Sequence, residues 1–277
     1  MNDTNETNET TLSRGQRWLH ALTGERALSA PIAHADAPLG DEFARFIAVV
    51  PDPSNRFARA RENVVGLEQG WHLARVVRDA IEADARAERR RPLVAIVDVK
   101  SQAYGYREEM LGIHLACAAA VDAYASARVA GHPVVALIVG PAMSGAFLAH
   151  GYQASRILAL EAPGTMVHAM GKEAAARVTR RSVEALDALG ETITPMSYSL
   201  EAFAKLGLLD RLISNVNADS PTPDDIGSVR QALIDAIASA RNDRRDLSHR
   251  LASDAAKATR AASLEVRRRL AEQWDAA

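Results

Sequence analysis

Two short stretches, LVAIVDV from Leu93 to Val99 and VVALIV from Val134 to Val139, are aliphatic almost without interruption. A strand with one wet face alternates apolar and polar side chains, so runs of this kind belong to strands buried on both faces. Each run follows a stretch of helical periodicity. Leu67 to about Arg89 places Trp71, Ala74, Val77 and Ile81 on one stripe with arginines opposite, and Pro92 ends it. About Arg107 to Ala130 does the same with Met110, Ile113, Cys117, Ala120 and Tyr124, ending at Gly131-His132-Pro133. EFARFIAVV (Glu42–Val50) reads as an earlier strand and RILAL (Arg156–Leu160) as a later one. Strand, helix, strand, helix, strand predicts α/β layering with a parallel sheet and right-handed crossovers.

The rest of the chain fits around that nucleus. Short helices are expected near Lys172, over Ser182–Leu189 and over Ser197–Leu206; residues 215–228 are rich in turn formers and read as a linker. Two helices follow, about Val229–Asn242 and Leu247–Trp274, as a peripheral extension over 229–277. The opening MNDTNETNET, acidic and polar, reads as a disordered leader over residues 1–14 and lacks the pattern of a signal peptide. The domain proper is then 15–214. Charge is balanced, 33 Lys+Arg against 35 Asp+Glu, which favours neither nucleic acid nor a membrane surface as partner. The lone Cys117 sits in an alanine-rich helical pattern and fits a small core residue in a reducing cytoplasm.

Two strand-to-helix turns of small residues carry the chemistry. ALIVGPAMSGAFLAH (Ala136–His150) contains Ala142-Met143-Ser144-Gly145-Ala146, a nucleophile elbow with both outer glycines replaced by alanine. A hydrolase also needs a base and an orienting acid after the serine. His249 lies in the polar stretch DLSHR, and His168 has no acid on a later strand to pair with. The competing reading makes the amides after Ser144 an anion cradle at a helix start. It also uses the second turn, Gln102 to Glu109, about forty positions earlier: amides near Gly105 and near Gly145-Ala146 can converge on one developing oxyanion. For either turn alone, the plain alternative is that glycine merely permits a tight bend.

SQAYGYREEMLGIHLACAAAVDAYASA, PVVALIVGPAMSGAFLAHGYQASRILAL and TMVHAMGKEAAARVTRRSVEAL, in that order, resemble the gamma subunit of biotin-independent malonate decarboxylase. That family is related to the C-terminal half of acyl-CoA carboxyltransferases. The resemblance spans roughly Gly15 to Ile213 and implies a crotonase-like (ClpP/crotonase) spiral of βαβ units with peripheral C-terminal helices. Carboxyltransferase relatives usually carry three glycines where this chain has Ser144-Gly145-Ala146, and transfer to biotin is what that departure calls into question.

The resemblance implies a carboxy-lyase component in the cytoplasm. It would decarboxylate malonyl-S-acyl carrier protein to acetyl-S-acyl carrier protein and CO2, at a site shared with a beta subunit. Implied partners also include the acyl carrier protein and its transferase, the alpha subunit. No cofactor or metal is implied on this chain; the substrate arm is the dephospho-CoA-type prosthetic group of the carrier. Gly105, Gly145, Ala146 and His168 are the candidate catalytic residues, and Tyr104, Met143, Ser144, Gly171 and Lys172 the candidate substrate contacts. For His168 and Lys172 the plain alternatives are a satisfied structural histidine and a solvated lysine. Arg177, Arg180 and Arg181 form a basic cluster suited to an acidic carrier, though helix-surface arginines need no partner. Two other classes stay open: a stand-alone crotonase-type acyl-CoA enzyme using Glu108 or Glu109 as acid or base, and a noncatalytic subunit completing a partner's site.

Overall fold

In the computed structural model, which describes residues 12–26 and 29–275, the two aliphatic stretches lie side by side in a seven-stranded sheet. The chain enters through α1 (Arg14–Thr23) and the antiparallel pair β1 (Ile32–Leu39) and β2 (Glu42–Val49). β3 (Val64–Val65), α2 (Leu67–Ala83), β4 (Leu93–Val99), β5 (Ser101–Gln102), α3 (Tyr106–Met110), α4 (Ile113–Val129) and β6 (Val134–Met143) follow. Then come α5 (Ser144–Ala149), β7 (Arg156–Leu160), β8 (Met166–His168), α6 (Lys172–Thr179), α7 (Val183–Thr192), α8 (Leu200–Lys205) and β9 (Arg211–Ile213). α9 (Pro223–Arg241), α10 (Asp254–Thr259) and α11 (Ala261–Asp275) end the described chain. The sheet runs β1-β2-β4-β6-β7-β9, parallel from β2 onward, while β3 and β5 pair in a small sheet of their own.

Alternation along the central strands divides the interior in two. Leu93, Ala95, Val97 and Val99 of β4 and Val134, Ala136 and Ile138 of β6 face α2 and α4. Val94, Ile96, Val135, Leu137 and Val139 face the other way, onto α1 and α9. Each fully buried aliphatic side chain contributes about 1.5–3 kcal/mol, so both layers are needed to cover such strands. α2 and α4 cross closely at Gly70, where a Cβ would lie 2.6 Å from the carbonyl oxygen of Ala116.

β6 changes neighbours along its length. Val135–Ile138 pairs with β7, whereas Pro141–Met143 pairs with β8. Between the two, Arg14 of α1 donates from Nη1 to the carbonyl of Val139 (3.3 Å) and to Thr165 Oγ1 (3.4 Å).

Several boundaries differ from the sequence reading. The helix expected over Arg107–Ala130 is broken at Gly112, whose φ of +84° glycine adopts without strain, and Met110 accordingly leaves the buried stripe. The expected linker at 215–228 is no free tether. Ala218 is buried, its carbonyl accepts from Trp18 Nε1 (3.0 Å), and Asp219 pairs with Arg14 at 2.6 Å. α9 begins at Pro223, inside that segment, because Thr222, Pro223 and Asp225 form a capping box with proline at the first turn. Nor is α9 peripheral: Val229, Ala232, Leu233, Ala236 and Ile237 are core. The helix expected over Leu247–Trp274 is divided at Ser253, which caps α10, and again before Ala261; α11 buries none of its residues. Most of the leader, residues 1–11, lies outside the described residues; Ser13 caps α1 and Arg14 begins it.

Candidate active site at the carboxyl ends of the central strands

β4 and β6 deliver the two turns to one edge of the sheet. After Val99 the chain forms β5, and the carboxamide Oε1 of Gln102 accepts the amide N–H of Gly145 at 2.9 Å. That bond joins the two turns directly. Because the carbonyl side of the carboxamide is committed to Gly145, the orientation of its NH2 group is set as well. Ser144, the first residue of α5, has φ of +58°, a left-handed conformation that turns the chain sharply from strand to helix. Gly145 itself has no such φ; what crowds a side chain there is Gln102, whose Oε1 and Cδ would sit 3.1 and 3.3 Å from a Cβ and would have to give way.

Ser144 and Gly145 border a cleft of about 350 Å³ whose other walls include Phe147, Val167, His168 and Phe203. His168 arrives there by strand pairing, since β8 sets it opposite Met143 of β6. Its Nδ1 lies 3.0 Å from the carbonyl oxygen and 3.1 Å from the amide nitrogen of Met170, which fixes the ring. The imidazole stacks on Tyr198, centroids 3.8 Å apart and planes 16° off parallel. Burial pulls its pKa below the usual histidine range, partly offset by the Met170 bond, so the ring is neutral at pH 7.

The candidate residues therefore separate into groups. Ser144, Gly145 and His168 line the cleft; Met143 lies behind it, buried and in register with His168. Ala146 is fully buried in the core on the α2–α4 side and is not among the residues lining the cleft. Gly105 is extended (φ 178°, ψ 167°) and caps α3. A Cβ on it would fall 2.7 Å from both Arg59 Nε and Glu108 Oε2, so those two side-chain ends would have to shift to admit one. Tyr104 is half exposed on that same turn. Gly171 caps α6, and Lys172 pairs with Asp187 at 2.6 Å while its Nζ lies 5.3 Å from the Tyr198 ring. That places Lys172 beside the stacked pair, already held by a carboxylate.

The elbow reading loses His249 as its base. His249 does meet an acid, Asp243 at 3.3 Å, but both gather around Arg156 at the start of β7. β7 starts opposite Val135, so that cluster and Ser144 stand at opposite ends of β6, about 30 Å apart at 3.3 Å per residue. Glu108 is buried against the Gly105 turn and Glu109 is exposed; neither lines the cleft. Cys117 is held as a thiol, its pKa pushed up to about 11 by burial. Among the described residues no group of His, Cys, Asp and Glu is arranged to hold a metal ion, and no helix is long and apolar enough to cross a membrane.

Gln102 is the residue joining the two turns to which the sequence alone assigns no role. Its signal was present: a single carboxamide side chain, three residues ahead of Gly105, at the end of a strand that leads into a turn of small residues.

The sequence profile of the malonate decarboxylase gamma subunit matches residues 60–274. One chain of a Pseudomonas malonate decarboxylase hetero-tetramer, solved in complex with coenzyme A, is 53% identical and superposes with a TM-score of 0.88 over 95% of this chain and 100% of that one. A chain of the Pseudomonas MdcD-MdcE hetero-dimer is 52% identical, with a TM-score of 0.85 and the same coverage. Malonyl-S-ACP:biotin-protein carboxyltransferase MADD of Malonomonas rubra is 36% identical over 185 residues, 65% of this chain. The match spans 63% of that relative's length. Transcarboxylase 12S, at 19% identity and a TM-score of 0.61 over 86% of this chain and 44% of that one, shows the shared carboxyltransferase fold of the crotonase-like class.

Proposed function

The chain belongs to the malonate decarboxylase gamma subunit family, and from that premise we propose that it supplies one wall of a site where a malonyl thioester loses CO2. The beta subunit supplies the other wall, as the hetero-dimeric relative suggests, and the thioester arrives on an acyl carrier protein. In the reaction the bond between the methylene carbon and the carboxylate breaks. Its electron pair moves into the thioester carbonyl, CO2 departs, and the enolate carbon then takes a proton to give the acetyl thioester. The protein's task is to hold the negative thioester oxygen and to deliver that proton.

The observation that carries this reading is the Gly145 N–H to Gln102 Oε1 bond above an apolar cleft. It changes the assignment of donors. The Gly145 amide locks Gln102, which stands beside the cleft, behind Gly145, rather than in its lining; once the beta subunit completes the site, the Gln102 NH2 is the group offered to the oxyanion, with the Gly105 amide on the same turn as its companion. Phe147, Val167 and Phe203 keep the cleft dry, where a single well-placed donor is worth about 3 kcal/mol of barrier. Neutral His168, its Nδ1 fixed by Met170, relays the proton through Nε2. Tyr198 holds the ring by stacking, and Lys172 supports Tyr198.

The test is decarboxylation of a malonyl thioester by the purified chain alone and by its complex with the beta subunit. The chain alone is expected to be nearly inactive, because half a site lacks the enclosure that makes dipoles effective. Full turnover by the single chain would overturn the shared site.

A further inference from the structure

At the opposite edge of the sheet, where β4, β6 and β7 begin, lies a second cavity of about 380 Å³. Five arginines, Arg89, Arg90, Arg128, Arg241 and Arg245, line it against a single carboxylate, the exposed Glu88. Two of the five are neutralised. Arg89 pairs with Asp41 at 3.2 Å and with Glu42 at 2.9 Å, and Arg241 pairs with Glu42. The other three reach only backbone carbonyls: Arg90 those of Ala85 and Ala87, Arg128 that of Arg245, and Arg245 that of Val129.

Arg128 is the telling member. It is buried, 9% exposed, its Nε has no hydrogen-bond partner among the described residues, and burial pulls its pKa down with only Asp246 opposing. The carboxylates nearby are engaged elsewhere, Asp246 with Arg244 at 2.9 Å and Asp84 with Arg91 at 2.6 Å. A buried guanidinium without a counter-charge is costly, and folded proteins pair such groups or bind an anion to them. Planar guanidinium forks match phosphate and carboxylate oxygens. Apart from alanines and Pro133 the wall offers no apolar side chain, so a ligand with a nucleobase or an acyl tail has nothing to rest on.

We propose that this cavity is a binding site for a small, doubly charged oxyanion, a phosphomonoester by preference, held by Arg90, Arg128 and Arg245. It is about 30 Å from the decarboxylation cleft, the length of β6, and does not depend on how that cleft works.

The test is thermal unfolding of the full chain with increasing inorganic phosphate, ionic strength held constant with sodium chloride, and a parallel series with malonate. Phosphate is expected to raise the midpoint saturably. Arg128→Gln and Arg245→Gln should each weaken that response at least tenfold, while Arg78→Gln, on a distant surface pair with Asp122, should leave it unchanged. Arg245 is exposed, so its variant tests the site even if the Arg128 variant fails to fold. Saturation by malonate alone, with the same sensitivity to the two variants, would keep the oxyanion site and assign it to a dicarboxylate. No saturable response to either anion, or one that both variants leave intact, would overturn the proposal.

Discussion

At the carboxyl ends of β4 and β6 the chain gathers small residues, a carboxamide and an apolar cleft; at the amino ends of the same strands it gathers guanidinium groups and carboxylates. Both edges come from one parallel sheet, so the difference lies in what the loops bring. The carboxyl edge is built from backbone donors and neutral side chains, which suit a charge that exists only in a transition state. The amino edge is built from permanent charges, which suit ion pairs and resident anions. If this contrast is right, substitutions at the first edge change turnover with little effect on stability, and those at the second do the reverse.

The largest effect is expected from Gly145→Val. The new side chain displaces Gln102, whose Oε1 would lie 3.1 Å from the Cβ. Turnover of the assembled complex should fall by roughly two to three powers of ten, the scale of a lost oxyanion donor. Gel filtration beside a decarboxylation assay checks this, and an assembled variant with near-normal turnover would break the contrast.

Acid acts next, on the core that the two edges share. His150, at the end of α5, is fully buried between Tyr124 OH (3.0 Å, at Nδ1) and the Ile96 carbonyl (3.0 Å, at Nε2), and burial lowers its pKa to about 4. The unfolded chain titrates near 6.5, so between pH 6.5 and 4 it binds the proton that the folded chain refuses. Stability therefore falls as pH drops through that window, by roughly 3 kcal/mol from this group. Asp84 of the amino edge has its pKa lowered by Arg91 and stays ionised throughout. Urea unfolding from pH 7.5 to 4.5 should show the slope, and His150→Gln should flatten it by that amount.

Gln102→Glu sharpens the picture further. It keeps an acceptor for the Gly145 amide but removes the NH2 donor, so turnover should fall about ten- to a hundredfold with assembly intact. Unchanged turnover would reduce Gln102 to a cap. Smallest is Ser144→Ala, expected to stay within about tenfold if the turn acts through its backbone and not through the hydroxyl. A loss beyond about a thousandfold in a folded variant would restore a nucleophilic serine.

Much of this was legible in the sequence. The uninterrupted aliphatic runs gave away doubly covered parallel strands, and helical periodicity supplied α2 and α4, because burial on both faces leaves an unmistakable pattern. The position of α9 was hidden because the residues that cap a helix, Thr222, Pro223 and Asp225, are also those of a turn. At the site, two turns of small residues indicated a cradle but not which of them line the cleft. That depended on a contact across 43 positions, Gln102 to Gly145, and on the burial of Ala146, neither of which leaves a local trace. The amino-edge arginines were hidden for a similar reason: ERRR near Arg91 resembles any solvated helix end until Arg128, Arg241 and Arg245 are folded beside it.

The change of neighbours along β6 has a consequence in time as well as in space. β7 is paired as a strand on both sides, by β6 and by β9, whereas β8 pairs as a strand only with β6, over three residues, with a long 3.4 Å bond from the Val167 amide to the Tyr198 carbonyl on its other side. Local opening follows the number of bonds that must break together, so the segment carrying His168 can lift from Met143 while β7 stays zipped. Amide hydrogens of Met166–His168 should then exchange with solvent well before those of Arg156–Leu160. The proton-bearing wall of the cleft would thus be the part of the sheet free to move as substrate enters and product leaves.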